Sequence, residues 1–156
     1  DFAYKEFMKD DDVYYVSEHR RSYDNSEELK NVIQQDADFT LFPISITRFD
    51  AEKARLILKE QGYKINIIHQ LWIKPFLFKK EWREALNSSK HGGMVLDDDY
   101  EEGAASSMAH SMMIDSEKKV YTFGLEHRTA GFHPDVDNLP PSPESIAERV
   151  KSIINK

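Results

Sequence analysis

The sequence predicts an α/β fold, a largely parallel sheet covered by helices on both sides, and three features carry that prediction. From Asp36 onward short apolar, β-rich runs alternate with helical patterns. Runs such as Phe39 to Ile46 and Met94-Val95-Leu96 are mainly apolar rather than alternating, as strands buried on both faces are. The helical segments each carry one apolar stripe, the pattern of a helix laid against a sheet.

The elements follow in order. Phe2 to Lys9 reads as a short helix, and Val13 to Ser17, aromatic and β-branched, as a strand. Residues 18–35 are too polar for a core and read as a connector. Phe39 to Ile46 is a strand in which Pro43 and Ser45 predict a bulge or an early end. Asp50 is placed to cap a helix running to Gln61, with Ala51, Ala54, Ile57 and Leu58 on one face and Gly62 as its stop. Ile65 to His69 is a second strand. After Pro75, Lys80 to Ser88 is a helix turning Trp82, Ala85 and Leu86 inward. Met94 to Leu96 is a third strand, with Asp97 to Tyr100 at its carboxyl end. Gly103 opens a helix through Met113, striped by Ala105, Met108, Ala109 and Met112. Val120 to Phe123 is a fourth strand, and Ser142-Pro143-Glu144 starts a final helix buried through Ile146, Val150, Ile153 and Ile154.

Bulk properties narrow the function. A chain of 156 residues with 40% hydrophobic content builds one core. It has no apolar run of about eighteen residues to span a bilayer, and Asp1 to Lys5 lack the pattern of a signal peptide, so a soluble chain is expected, with no membrane partner. The start at Asp1, without Met, suggests a fragment or a processed chain. A net charge of −7, with acidic clusters at Asp10 to Asp12 and Asp97 to Glu102, repels a phosphate backbone and argues against nucleic acid. Zero cysteines exclude a disulfide, a thiolate nucleophile and a cysteine zinc site, and fit a cytoplasmic setting.

Several residues invite a chemical reading. His127 and His133 lack zinc-ligand spacing, and His110 sits at the edge of its helix. His69, at the end of an apolar strand, together with Asp97 and Gly103, outlines an anion site at the strand carboxyl ends. A hydrogen-bonded structural His69 is the favoured alternative, because no partner nucleophile is identifiable. Asp97, Asp98, Asp99, Glu101 and Glu102 lack the spacing of a calcium loop, so local pairing or solvation is favoured over metal. Trp72, Phe76, Phe78 and Trp82 around Pro75 read as core, with an intersubunit patch as the alternative. Glu18, His19, Arg20 and Tyr23 form the most suggestive polar cluster, a domain or subunit contact if it is not a solvated hinge.

Glu18-His19-Arg20-Arg21-Ser22-Tyr23 resembles the end of the pyrimidine-binding domain in beta subunits of thiamine-dependent 2-oxoacid dehydrogenases. Asp38 to Ile46, Ile65 to His69 with Lys74-Pro75-Phe76, and Asp98 to Ser106 resemble, in order, segments of that family's carboxy-terminal domain. Gly124-Leu125-Glu126, Arg128 to Phe132 and Asp137 to Ser142 resemble the transketolase branch at least as well. The resemblance implies a three-layer α/β/α domain over residues 37–156, with a five-stranded, mostly parallel mixed sheet. Residues 1–36 are then the end of the pyrimidine domain and a connector. It further implies a parent enzyme using thiamine diphosphate and Mg, in which this chain is a non-catalytic assembly domain. No Gly-Asp-Gly segment occurs in the chain, so no cofactor is expected to bind to it, and no catalytic or metal residue is assigned. Implied partners are the rest of the parent enzyme, a homodimer partner, an alpha subunit and an acyltransferase core. A transketolase-type sugar enzyme as parent, or an independent regulatory domain binding a small anion, remains the alternative.

Overall fold

The computed structural model describes residues 2–9, 11–131 and 133–156; Asp1, Asp10 and Phe132, which the sequence reading drew on, lie outside the described residues. The elements are α1 (Phe2–Phe7), β1 (Phe39–Pro43), α2 (Thr47–Glu60), β2 (Ile65–Ile67), α3 (Lys80–Ser88), β3 (Gly93–Tyr100), α4 (Ala104–Asp115), β4 (Val120–Leu125) and α5 (Pro143–Ile154). The sheet runs β2-β1-β3-β4, with every neighbouring pair parallel. Parallel neighbours cannot be joined by a tight hairpin, so each connection crosses a face of the sheet.

Two apolar clusters follow. On one face Phe39, Leu41, Ile65, Ile67, Met94 and Leu96 meet Ala51, Ala54 and Leu58 of α2 and Ile146, Ala147, Val150 and Ile153 of α5. On the other, Phe42, Ile68 and Val95 meet Trp82, Ala85 and Leu86 of α3 and Ala105, Met108, Ala109 and Met112 of α4. The chain is thus three layers, helices on sheet on helices. Each fully buried Leu, Ile, Met or Phe contributes about 1.5–3 kcal/mol relative to exposure, so these two interfaces supply most of the driving force.

Four strands pair along their length rather than five. The fifth place, outside β2, is held by a single antiparallel bridge, Val32 to Ile67, whose amides exchange hydrogen bonds of 2.8 and 2.9 Å. Side chains clamp the segment on either side of it. Asn66 Oδ1 accepts from the Gln34 amide at 2.9 Å, and Asn31 Oδ1 accepts from the His69 amide at 2.9 Å. A residue pair fixed this way needs no further ladder, because the flanking amides already have partners.

Val13 to Ser17 forms no strand: Val13 is fully exposed, and the segment pairs with no strand among the described residues. The segment's β-rich composition is used in ring contacts instead, Tyr14 lying edge-on to Phe7 at 5.5 Å and to Trp72 at 5.8 Å between centroids. α1 ends at Phe7, two residues earlier than the sequence reading placed it. The aromatics around Pro75 divide. Trp82 is buried, Phe76 and Phe78 stack at 6.2 Å against the α3 cluster, and Trp72 faces Tyr14. The Lys74-Pro75 peptide is cis.

The helix ends explain themselves locally. α2 begins at Thr47 rather than at Asp50, because the single Thr47 hydroxyl proton is shared between the Ile44 carbonyl at 2.6 Å and the Leu96 carbonyl at 3.1 Å, which pins the helix start to two strand ends. Asp50 is then a buried acid in the first turn, 3.6 Å from Lys53. α5 starts as expected, with Ser142 Oγ accepting from the Ser145 amide at 3.2 Å and Pro143 in the first turn.

Gly62 and Gly92 both adopt left-handed backbone, φ 90° and 83°, but in different surroundings. A Cβ at Gly62 would meet open space, whereas one at Gly92 would run into the Lys119 carbonyl that receives the Gly93 amide. Gly62→Ala should therefore cost only the backbone penalty of about 1 kcal/mol. Gly92→Ala should cost about 3 kcal/mol or more, since strain and steric conflict add. Urea denaturation of both variants checks the ordering, and equal losses would show that the steric term is absent.

Candidate functional site

β1 and β3 are neighbours, yet the chain leaves them toward opposite faces: α2, after β1, packs in one cluster and α4, after β3, in the other. Their carboxyl ends part at this reversal, the place where open α/β sheets present a crevice. Here lies an open cleft of about 940 Å³, floored by the strand ends and walled by residues 16–19, 22 and 25–29 of the segment that precedes β1.

The strand ends are locally irregular. Ser45 has φ 52°, a left-handed conformation that a residue bearing a Cβ adopts at a cost, and its Oγ donates to Asp98 Oδ2 at 2.8 Å. On β3 the ladder to β4 breaks between Leu96 and Tyr100, so that Asp97, Asp98 and Asp99 stand opposite the single Gly124. Such a bulge re-aims side chains. It explains why β3 extends to Tyr100 while its last acids leave the regular pleat, and Gly124 is needed because a Cβ there would collide with the Asp99 carbonyl.

Asp97 lines the cleft at 4% exposure. Its Oδ1 accepts from the Asp99 amide at 3.2 Å, while Oδ2 has no hydrogen-bond partner among the described residues. Burial above all, and then the Asp98 and Asp99 charges, push its pKa upward, the backbone amides of Asp99 and Asp98 opposing them. Arg48, in the first turn of α2, also lines the cleft and is held below its ordinary value by burial, against the opposing charge of Glu28, and its Nε likewise lacks a partner among the described residues. Carboxylates stand on both walls, Glu18, Glu27 and Glu28 on one and Asp97, Asp98 and Asp99 on the other, and they outnumber Arg48 and His19.

The other residues singled out from the sequence have separate settings. His69 does not line the cleft; its Nε2 lies 3.3 Å from Glu52 Oε1 on α2. Burial and the Arg48 charge pull its ring down to about 4, opposed by Glu52 and by the Lys30 backbone, and Nδ1 has no partner of hydrogen-bonding geometry among the described residues. Gly103 gives its amide to the Tyr100 carbonyl at 3.1 Å in the turn that opens α4. Of the three residues of the outlined anion site, only Asp97 therefore faces the cleft. From the connector, Glu18 and His19 line it. His19 Nδ1 accepts from the Arg21 amide at 3.2 Å and starts the short helical turn Arg20–Ser22, which leaves Arg20 and Tyr23 exposed on the outer surface.

Glu101 is drawn into structure rather than ligation: its carboxylate accepts from Thr122 Oγ1 at 3.2 Å and from the Gly124 amide at 3.3 Å. No group of three or more His, Asp or Glu converges for a metal among the described residues. No helix among them is long and apolar enough to cross a membrane. Arg48 went unmarked in the sequence, and Ser45 was marked only as a bulge or strand end. The one available signal was a basic residue in the first turn after the first strand, in a run that otherwise reads as apolar.

No protein-family profile matches the sequence, and no curated protein matches it. Solved structures do. The 2-oxoglutarate:ferredoxin oxidoreductase from Magnetococcus marinus, with 2-oxoglutarate, coenzyme A and succinyl-CoA bound, matches 86% of this chain at 18% identity and TM-score 0.59. A split-gene transketolase, an inactive beta4 tetramer, matches 81% at 15% identity and TM-score 0.63. A transketolase mutant from Pichia stipitis matches 80% at 18% identity and TM-score 0.54. The fold is that of a transketolase-like carboxy-terminal domain. The chain spans 21%, 41% and 18% of those three chains, so this fold is one part of each of them.

The depressed His69 fixes a sign for the pH dependence of the transketolase-like domain. An unfolded histidine titrates at 6.5 and the folded one at about 4, so between these values the unfolded chain holds a proton that the folded chain refuses. Stability contributed by neutral His69 is present above pH 6.5 and is lost as pH falls toward 4. Equilibrium unfolding of His69→Gln at pH 7 and pH 4.5 should show a shallower loss than the parent chain; an identical slope would place the acid sensitivity elsewhere.

Proposed function

We propose that this chain is the non-catalytic carboxy-terminal assembly domain of a thiamine-diphosphate-dependent enzyme, closest to the beta subunit of a 2-oxoacid dehydrogenase. The observation that carries the reading is the fold likeness, which takes in 80–86% of this chain and only 18–41% of the enzymes it matches. A domain of that kind serves chemistry located elsewhere in its parent. The sequence supports this, since no Gly-Asp-Gly segment is present to hold a diphosphate and its Mg. On this reading thiamine diphosphate and Mg belong to the parent, residues 1–36 are the end of its pyrimidine-binding domain with a connector, and residues 37–156 are the assembly domain. The setting is cytoplasmic.

The domain's work is to orient and dimerise the catalytic parts, and it meets the rest of the parent, a homodimer partner, an alpha subunit and an acyltransferase core. Arg20 and Tyr23 carry the contact: His19 caps the turn that presents both at the surface, and Tyr23 is 67% exposed. Exposed aromatic and Arg side chains are the types that anchor protein interfaces. A transketolase-type sugar enzyme as parent is the second reading, favoured by the split-gene transketolase, whose TM-score of 0.63 exceeds the 0.59 of the ferredoxin oxidoreductase.

Calorimetric titration of thiamine diphosphate with Mg into this chain, and into the longest polypeptide of the parent with its alpha subunit, tests the assignment. Saturable binding to the larger assembly alone is expected; tight stoichiometric binding to the isolated chain would overturn it. In the assembled enzyme Arg20→Ala with Tyr23→Ala should weaken association by about tenfold or more, roughly the loss of one hot-spot side chain. Unchanged sedimentation and activity would remove that role from the pair.

A further inference from the structure

The cleft at the ends of β1 and β3 has a chemistry that the assembly role does not use. Its charged groups are unevenly matched. Arg48 is balanced by Glu28 on the facing wall, whereas the principal charges acting on Asp97 are those of its own neighbours, Asp98 and Asp99. The hydrogen bonds formed by these three acids come from neutral donors, the Ser45 hydroxyl and the backbone amides of Asp99 and Tyr100. A carboxylate that is 96% buried, with one oxygen unpartnered among the described residues, marks where a donor is missing. A compact metal ion does not answer the need, because no three acidic or imidazole groups converge among the described residues. What fits is a cation whose charge sits on N-H donors and whose body is apolar, since Ile44, Leu71 and Ile73 line the same cleft.

We propose that this cleft binds a small alkylammonium compound of the diamine and polyamine class, its ammonium group on Asp97 and its methylene stem against Ile44, Leu71 and Ile73. The three chain features meeting there support a built site rather than a surface accident: the reversal of chain direction between β1 and β3, the bulge that carries Asp97, and left-handed Ser45, bonded to Asp98. A ligand in this position touches the connector wall, residues 16–19, 22 and 25–29, and the sheet at once. It therefore ties the connector to the domain. The proposal holds whatever enzyme the parent is, and it is tested on this chain alone.

Isothermal titration of putrescine and of spermidine into the 156-residue chain, at 0.15 M salt to screen the diffuse attraction of its −7 net charge, reads the site. One saturable site is expected, with uncharged 1,4-butanediol failing to bind. Asp97→Asn should weaken binding at least tenfold, while Glu148→Gln, on the exposed face of α5, should leave it within twofold. Ala104→Leu, which projects a bulkier side chain from the cleft lining and keeps every charge, should also weaken it at least tenfold, and this variant decides the matter if Asp97→Asn does not fold. Absence of saturable binding, equal losses in Asp97→Asn and Glu148→Gln, or unchanged affinity in Ala104→Leu would each overturn the proposal.

Discussion

Every other element depends on β1 being sealed on all sides. Its five residues are buried, it has β2 on one edge and β3 on the other, and its side chains alternate between the two apolar clusters. Phe39 and Leu41 face α2 and α5, and Phe42 faces α3 and α4. A one-residue slip would exchange the two sets and put Thr40, whose hydroxyl is bonded to Ser89, among aliphatic side chains. That buried polar pair and the two unlike faces fix the register of the central strand, and with it the pairing of its neighbours.

The same constraint creates the cleft. Neighbouring strands whose helices depart to opposite faces leave a gap where the departures diverge, and the Thr47 hydroxyl, within reach of carbonyls at the ends of both β1 and β3, sits at its base. Packing therefore decides where a ligand could go, while the bulge and Ser45 decide which polar groups it would meet. Neither depends on catalysis, which agrees with a domain whose fold is shared by enzymes of which it forms a minor part.

Much of the fold was legible because its signals are local. Lys80 to Ser88 was readable to the residue from the inward triad Trp82, Ala85 and Leu86, and α5 from the Ser142 cap and Pro143. Where the sequence misled, the deciding partner was distant. Val13 to Ser17 has strand composition but pairs with no strand among the described residues, Thr47 displaces Asp50 as the helix start because of a carbonyl on β3, and the fifth strand shrinks to Val32 because Asn31 and Asn66 satisfy the flanking amides. The site was half legible. Strand-end position pointed to Asp97, but the sequence could not show that the His69 ring turns to Glu52, nor that Arg48 faces the cleft, because both follow from where α2 crosses the sheet.

The Val32 bridge has a consequence for behaviour in a crowded solution. β2 is the edge strand on its side, and an exposed edge offers unpaired amides on which another chain can build a continuous sheet, the first step toward aggregation. Here β2 is only three residues long, and Val32, Gln34 and Asn31 occupy hydrogen-bonding groups from Ile65 to His69. A segment too short to count as a strand thus acts as a selvedge, finishing the sheet so that it does not extend into its neighbours.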